Sequence, residues 1–169
     1  MRAPEITAAM LADLRLKNAN EIKAAELVLP LGPWKSRRCD FWTISPHHSK
    51  SYHAVSYELK ASRADFLRDT EEKQQQALKW SDRFYYVTPA GLVAASEVPD
   101  WAGLMWWTPP HDRERYGPAF AYKKHAPLRE KAAPDWTFVT TLLRHAEKLD
   151  RDGMAARRLA REDIQTGAA

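Results

Sequence analysis

Between Tyr52 and Val87 the hydrophobic period of the sequence changes twice, and no other stretch restricts the fold as much. Tyr52 to Leu59 alternates. Ala54, Ser56, Glu58 and Lys60 fall on one face of an extended strand, and Val55, Tyr57 and Leu59 on the other. Ser62-Arg63-Ala64-Asp65 follows at once, a serine with an acid three residues later, which is the pattern of a capping box. It predicts a polar helix from about Arg63 to Lys79. Phe84-Tyr85-Tyr86-Val87 then reads as a strand again, stopped by Pro89-Ala90-Gly91. A strand that leads through a helix to another strand is a crossover, and a crossover of that kind joins parallel neighbours.

The flanking segments extend this unit. Pro4 and Glu5 favour a helix start, and Ile6, Met10 and Leu14 recur at four-residue spacing. Whether that helix runs on through Glu21 to Ala25 is left open by the pattern. Leu27, Val28, Leu29 and Leu31 form an apolar run that Pro30, Gly32 and Pro33 close. Cys39 to Ile44 is a second β-rich run, followed by a polar loop from Ser45 to Ser51. Downstream, Leu92 to Ala94 predicts a short strand and Gly103 to Trp107 another. Pro109 to Pro134 predicts an irregular surface segment. Pro134-Asp135 caps a last helix with Val139, Leu142, Leu143, Ala146 and Leu149 on one face. The expected fold is α/β, a mixed β-sheet flanked by helices, in a single domain over residues 1–150 with a charged tail at 151–169.

Composition bounds the partners. With 169 residues, 44% apolar and 28% charged, the chain suffices for one domain with a real core. It contains no run of about 18 apolar residues, so no membrane-spanning helix is expected. Met1 to Asn20 carries Glu5, Asp13, Arg15 and Lys17, which does not read as a secretory signal. One cysteine, Cys39, allows neither an intramolecular disulfide nor a thiolate metal cluster, and a cytoplasmic location is expected. The net charge of +4 permits a polyanionic partner without demanding one.

The chemistry-bearing residues lie on the predicted strands. Glu58 and Lys60 are two apart and leave the sheet on the same face. Asp40, on the neighbouring strand, can lie beside Glu58. Carboxylates that converge repel unless a cation lies between them, and oxygen-only ligands select a hard ion such as Mg²⁺ or Mn²⁺. The backbone carbonyl of Leu59 is a further candidate ligand. Lys60 is placed to polarise an attacking water or to hold charge developing on a phosphorane. Arg37, Arg38 and Arg63 offer guanidinium forks to phosphates. His47, His48 and His53 lack the spacing and the cysteine partners of a zinc site.

Asp40 … Glu58-Leu59-Lys60, in helix–strand–strand–strand–helix–strand order, resembles the PD-(D/E)XK, or restriction-endonuclease-like, nuclease superfamily. The stretches Arg37-Arg38-Cys39-Asp40, Tyr57 to Phe66, Ser81 to Pro89, Val98-Pro99 and Ala102 to Met105 resemble a group of its small bacterial and phage proteins, some described as DNA-repair proteins. The likeness covers roughly Leu27 to Trp107. It implies a three-layer core and a metal-dependent nuclease that hydrolyses phosphodiester bonds in DNA. Asp40, Glu58 and Lys60 would be catalytic, and Asp40, Glu58, Leu59 and a further acid would hold Mg²⁺ or Mn²⁺. Glu26 and Glu21 both qualify as that acid, with Glu26 preferred. Arg37, Arg38, Ser62, Arg63, Lys73 and Gln76 would contact nucleic acid. The superfamily's namesake proline is absent, and Cys39 stands in its place. The alternative is a DNA-binding repair or recombination accessory protein on the same fold with little hydrolysis. An RNA substrate is a weaker option, and the oligomeric state is open, a dimer included.

Overall fold

The structure, a computed structural model, describes residues 1–32 and 35–147. Helix α1 (Ala3–Lys17) leads into the strands β1 (Ile22–Gly32), β2 (Lys35–Ile44) and β3 (Ala54–Leu59). Two helices, α2 (Arg63–Leu67) and α3 (Glu71–Lys79), carry the chain over to β4 (Arg83–Pro89). Then come β5 (Gly103–Trp107), the short α4 (Arg113–Tyr116), β6 (Phe120–Lys124) and α5 (Trp136–His145). The six strands form one sheet in the order β1-β2-β3-β4-β5-β6. The β1–β2, β2–β3 and β5–β6 pairs are antiparallel, while β3–β4 and β4–β5 are parallel. The crossover through α2 and α3 therefore joins parallel neighbours, as the change of period requires.

Helices cover both faces, because alternate strand residues feed two separate cores. On one face Met10 and Leu14 of α1 pack against Phe41, Tyr57, Val87 and Met105. On the other, Phe66 of α2, Ala77 of α3 and Phe138 of α5 pack against Trp42, Phe84 and Leu104. Phe138 stacks on Trp80 with centroids 4.3 Å apart and meets Trp42 edge-on at 5.5 Å. Trp42 and Trp107 are core residues, whereas Trp136 is exposed. No described helix is long and apolar enough to cross a membrane.

The alternation slips in the middle of the β1–β2 pair, and that slip shapes the site. Ala25 and Phe41 are paired and belong to one core, while Leu27 and Cys39 are paired and belong to the other. Regular strands would keep positions two apart on the same face. The phase therefore changes at Glu26 in β1 and at Asp40 in β2, which that register sets opposite each other. Glu26 takes φ 50°, a left-handed conformation that costs a residue with a side chain about 1–2 kcal/mol.

Several expectations are corrected. The single helix over Arg63 to Lys79 is two, because Thr70 is a second N-cap: its hydroxyl accepts the Lys73 amide at 3.4 Å, and its backbone is extended. The end of α1, which the pattern left open, is also decided: β1 begins at Ile22, and Glu21 to Ala25 is not helical. Leu92 to Ala94 is a turn, not a strand, with Val93 buried in the core. Pro109 to Pro134 contains β6, which pairs with β5, and is not wholly irregular. Asp135 does cap α5, accepting the Phe138 amide at 2.7 Å, but Leu143 is exposed and the buried face is Phe138 and Thr141. Leu149 and the tail at 151–169 lie outside the described residues.

Candidate active site

The β2–β3 register pairs Phe41 with Tyr57, which sets Asp40 opposite Glu58. Asp40 Oδ2 accepts the Leu59 amide at 2.9 Å, so β3 itself holds the aspartate in place. Glu58 and Lys60 leave the end of β3 together, and Lys60 Nζ donates to Glu58 Oε1 at 2.9 Å. Lys60 also reaches Asp69 at 3.2 Å and Asp65 at 3.9 Å. Asp69 is fixed in turn by Gln74 Nε2 at 2.9 Å and the Thr70 amide at 3.0 Å. Glu58, Lys60 and Gln74 are buried. Glu58 Oε2 is buried with no hydrogen-bond partner.

These groups form the floor of a cleft of about 360 Å³. Exposed Arg37, Arg38, Arg68 and Lys73 line its rim. Such a cleft offers guanidinium and ammonium groups to an anion at its rim and carboxylates to a cation at its floor.

Burial and charge set the protonation of the floor. Burial pushes Glu58 up to about 7, the Asp40 charge adds to that, and Lys60 opposes it. Burial also raises Asp40, against the Leu59 amide and the Lys60 charge. For Lys60 burial acts downward, but Glu58, Asp69 and Asp65 outweigh it and hold the ammonium above its ordinary value. Tyr86 is raised by burial and then by the charge of Asp69. Cys39 is raised by burial and by Glu58 and Asp40, so it is a protonated thiol and no nucleophile.

Of the expected site residues, Asp40, Glu58, Lys60, Arg37, Arg38 and Lys73 come together here. Leu59 contributes its amide, to Asp40. Glu26 does not join them: its exposed carboxylate pairs with Arg38 at 3.2 Å, outside the cleft wall, because the left-handed kink turns it off the floor. Glu21 lies elsewhere, paired with Lys50 at 3.4 Å. Arg63 turns away to an ion pair with Glu97. Ser62 caps α2, accepting the Asp65 amide at 3.2 Å. Gln76 does not line the cleft, and Gln74, buried on the inner side of α3, does. Asp69, Gln74 and Arg68 are the residues that sequence reasoning missed. Their signal was the Asp69-Thr70 pair, a second helix start.

Among the described residues no group of three or more His, Cys, Asp or Glu side chains is gathered to hold a metal by itself. Two carboxylates nevertheless suit Mg²⁺, which keeps several waters and takes one or two protein carboxylates beside substrate oxygens. Glu58 Oε2, buried without a donor, has lone pairs that no protein group engages.

No family model matches this sequence, and no curated protein does. A solved structure does match: a protein of unknown function from Silicibacter pomeroyi, with TM-score 0.55 at 21% identity over 100% of this chain and 95% of that one. That likeness establishes a shared fold, an α/β architecture with a six-stranded mixed sheet and flanking helices.

Proposed function

We propose that this chain is a metal-dependent nuclease of the restriction-endonuclease-like kind, acting on DNA. The observation that carries the proposal is the unpartnered, buried Glu58 Oε2 beside Asp40, with Lys60 at 2.9 Å from the other Glu58 oxygen. Asp40 and Glu58 would hold Mg²⁺ or Mn²⁺. A divalent ion there supplies Lewis acidity and neutralises charge on the phosphate. Lys60, a donor with no lone pair to give a metal, orients the attacking water and stabilises charge on the phosphorane. Asp69 and Gln74 position Lys60. Arg37, Arg38, Arg68 and Lys73 hold the flanking phosphates.

One observation favours the accessory-protein alternative. Lys60 is bonded to both Glu58 and Asp69, so the floor is partly neutralised without an ion. Activity separates the two. Plasmid, linear, single-stranded and branched DNA, with RNA alongside, are incubated with Mg²⁺, Mn²⁺ or EDTA. The wild type should cut DNA only with metal. Lys60→Ala should keep its DNA affinity and cut on the order of 10²–10³ more slowly, the loss expected for one well-placed electrostatic group. No cleavage by wild type with any metal would leave the accessory reading in its place, whereas wild-type rates in Lys60→Ala would overturn the hydrolytic mechanism built on that lysine.

A further inference from the structure

A second cavity, of about 510 Å³, lies at the opposite end of β3 and β4 from the acidic cleft, with Val55, Tyr57, Arg83 and Tyr85 in its walls. Sites for small ligands span about 300–1,000 Å³. Its inner wall is aromatic. Tyr57 and Tyr85 are buried, their rings 23° from parallel with centroids 6.3 Å apart. Tyr122 meets Tyr85 edge-on at 5.4 Å and stacks on His125 at 5.5 Å. Tyr122 is 44% exposed, so its ring is reachable from solvent. Tyr85 is only 5% exposed and lines the cavity.

The charge around this wall is uneven. Lys17, Lys50 and Arg83 line it against one carboxylate, Glu21. Glu21 Oε1 holds Lys50 at 3.4 Å. Lys17 and Arg83 have no acidic partner among the described residues. Lys17 Nζ lies 5.5 Å over the Tyr122 ring, and Arg83 donates to the Ala126 carbonyl. His53, lowered mainly by burial, adds no charge at neutral pH. Glu21 Oε2 is buried and has no donor.

Two cations beside a reachable aromatic face suit a phosphate joined to a flat ring. A carboxylate oxygen without a donor suits a ring that carries an amino group. We infer that this cavity binds a nucleotide, its phosphate on Lys17 and Arg83 and its base on Tyr122, with a preference for bases bearing an exocyclic amine. A free nucleotide and the terminal nucleotide of a strand present the same chemistry. The inference does not depend on the acidic cleft being catalytic.

Isothermal titration of the full chain with CMP, UMP and a 5′-phosphorylated deoxycytidine tetramer tests it. CMP should bind saturably at one site, and the tetramer points to a strand end as the source only where its binding is also weakened in Lys17→Glu. CMP should bind more tightly than UMP. Lys17 is exposed at the end of α1, so Lys17→Glu leaves the fold alone and should weaken binding roughly tenfold or more. Tyr122→Ala should weaken it independently, and Asp40→Asn should leave CMP affinity unchanged. Saturable binding by neither ligand, or equal affinity in wild type and Lys17→Glu, overturns the inference. Loss of affinity in Asp40→Asn would move the site to the cleft and overturn it too. Equal affinity for CMP and UMP refutes the amine preference.

Discussion

Glu58 is the residue whose environment is hardest to satisfy. Its carboxyl is buried beside another carboxylate and has one cationic partner, so a proton or a metal ion must share the load. Without metal, the native state holds the Glu58 proton up to about 7, against an ordinary 4.5. The native protein thus binds a proton more tightly than the unfolded chain. That contribution to stability is fully present below the ordinary value and is lost as pH rises through about 7. Asp40 is shifted in the same direction and adds to the slope. In EDTA, the melting temperature should therefore fall as pH rises from about 5 to about 8. Glu58→Gln should flatten most of that fall. Equal slopes in the variant and the wild type would show that the Glu58 proton is not what responds.

At the scale of elements, the break between α2 and α3 matters most to the site. It delivers Asp69 to Lys60 and turns Gln74, not Gln76, to the floor. Thr70 sustains the break by capping α3, as Ser62 caps α2. Thr70→Ala should cost about 1 kcal/mol in urea unfolding, the usual value of an N-cap. Ser62→Ala should cost a similar amount. Only the Thr70 change should also lower cleavage, through Asp69 and Lys60, and equal cleavage in the two variants would detach the cap from the site. The Ser62 cap was legible because its acid follows at the capping-box position and a strand ends just before it. The Thr70 cap was masked, since Glu71 to Gln76 favours helix throughout and only the Asp69-Thr70 pair marks a second start. The start of β1 was hidden for a related reason. Lys23-Ala24-Ala25-Glu26 favours helix locally, and pairing with Thr43, Trp42 and Phe41 overrides that preference. β6 lies among prolines and pairs only with β5, a contact between distant segments that no local pattern encodes. The site was legible where strand geometry alone decides it, as for Glu58 and Lys60 two residues apart. It failed at Glu26, because a left-handed residue reverses the alternation and leaves no mark in the sequence.

For the whole molecule, the acidic cleft lies at the end of β3, outside its carboxyl end, where open α/β sheets commonly receive ligands. A metal ion bound there would cross-brace three elements. Asp40 comes from β2 and is held by the Leu59 amide, Glu58 comes from β3, and Lys60 ties Glu58 to Asp69 ahead of α3. An ion that binds only the native arrangement stabilises it by about 2.7 kcal/mol at one hundred times its dissociation constant. For a domain of this size that is a rise of roughly 5–10 °C in melting temperature. Mn²⁺ or Mg²⁺ should produce such a rise in the wild type. Asp40→Asn and Glu58→Gln should abolish it, and Asp40→Asn should raise the melting temperature of the metal-free protein slightly, because it removes a buried carboxylate repulsion and leaves the Glu58–Lys60 pair intact. Glu26→Gln separates the cleft from its rim. Its carboxylate faces Arg38 and not the floor, so the variant should keep the full metal response. A response lost in Glu26→Gln would return that residue to the metal site. A response unchanged in Asp40→Asn would mean that the ion binds elsewhere, and the hydrolytic assignment of this cleft would fall with it.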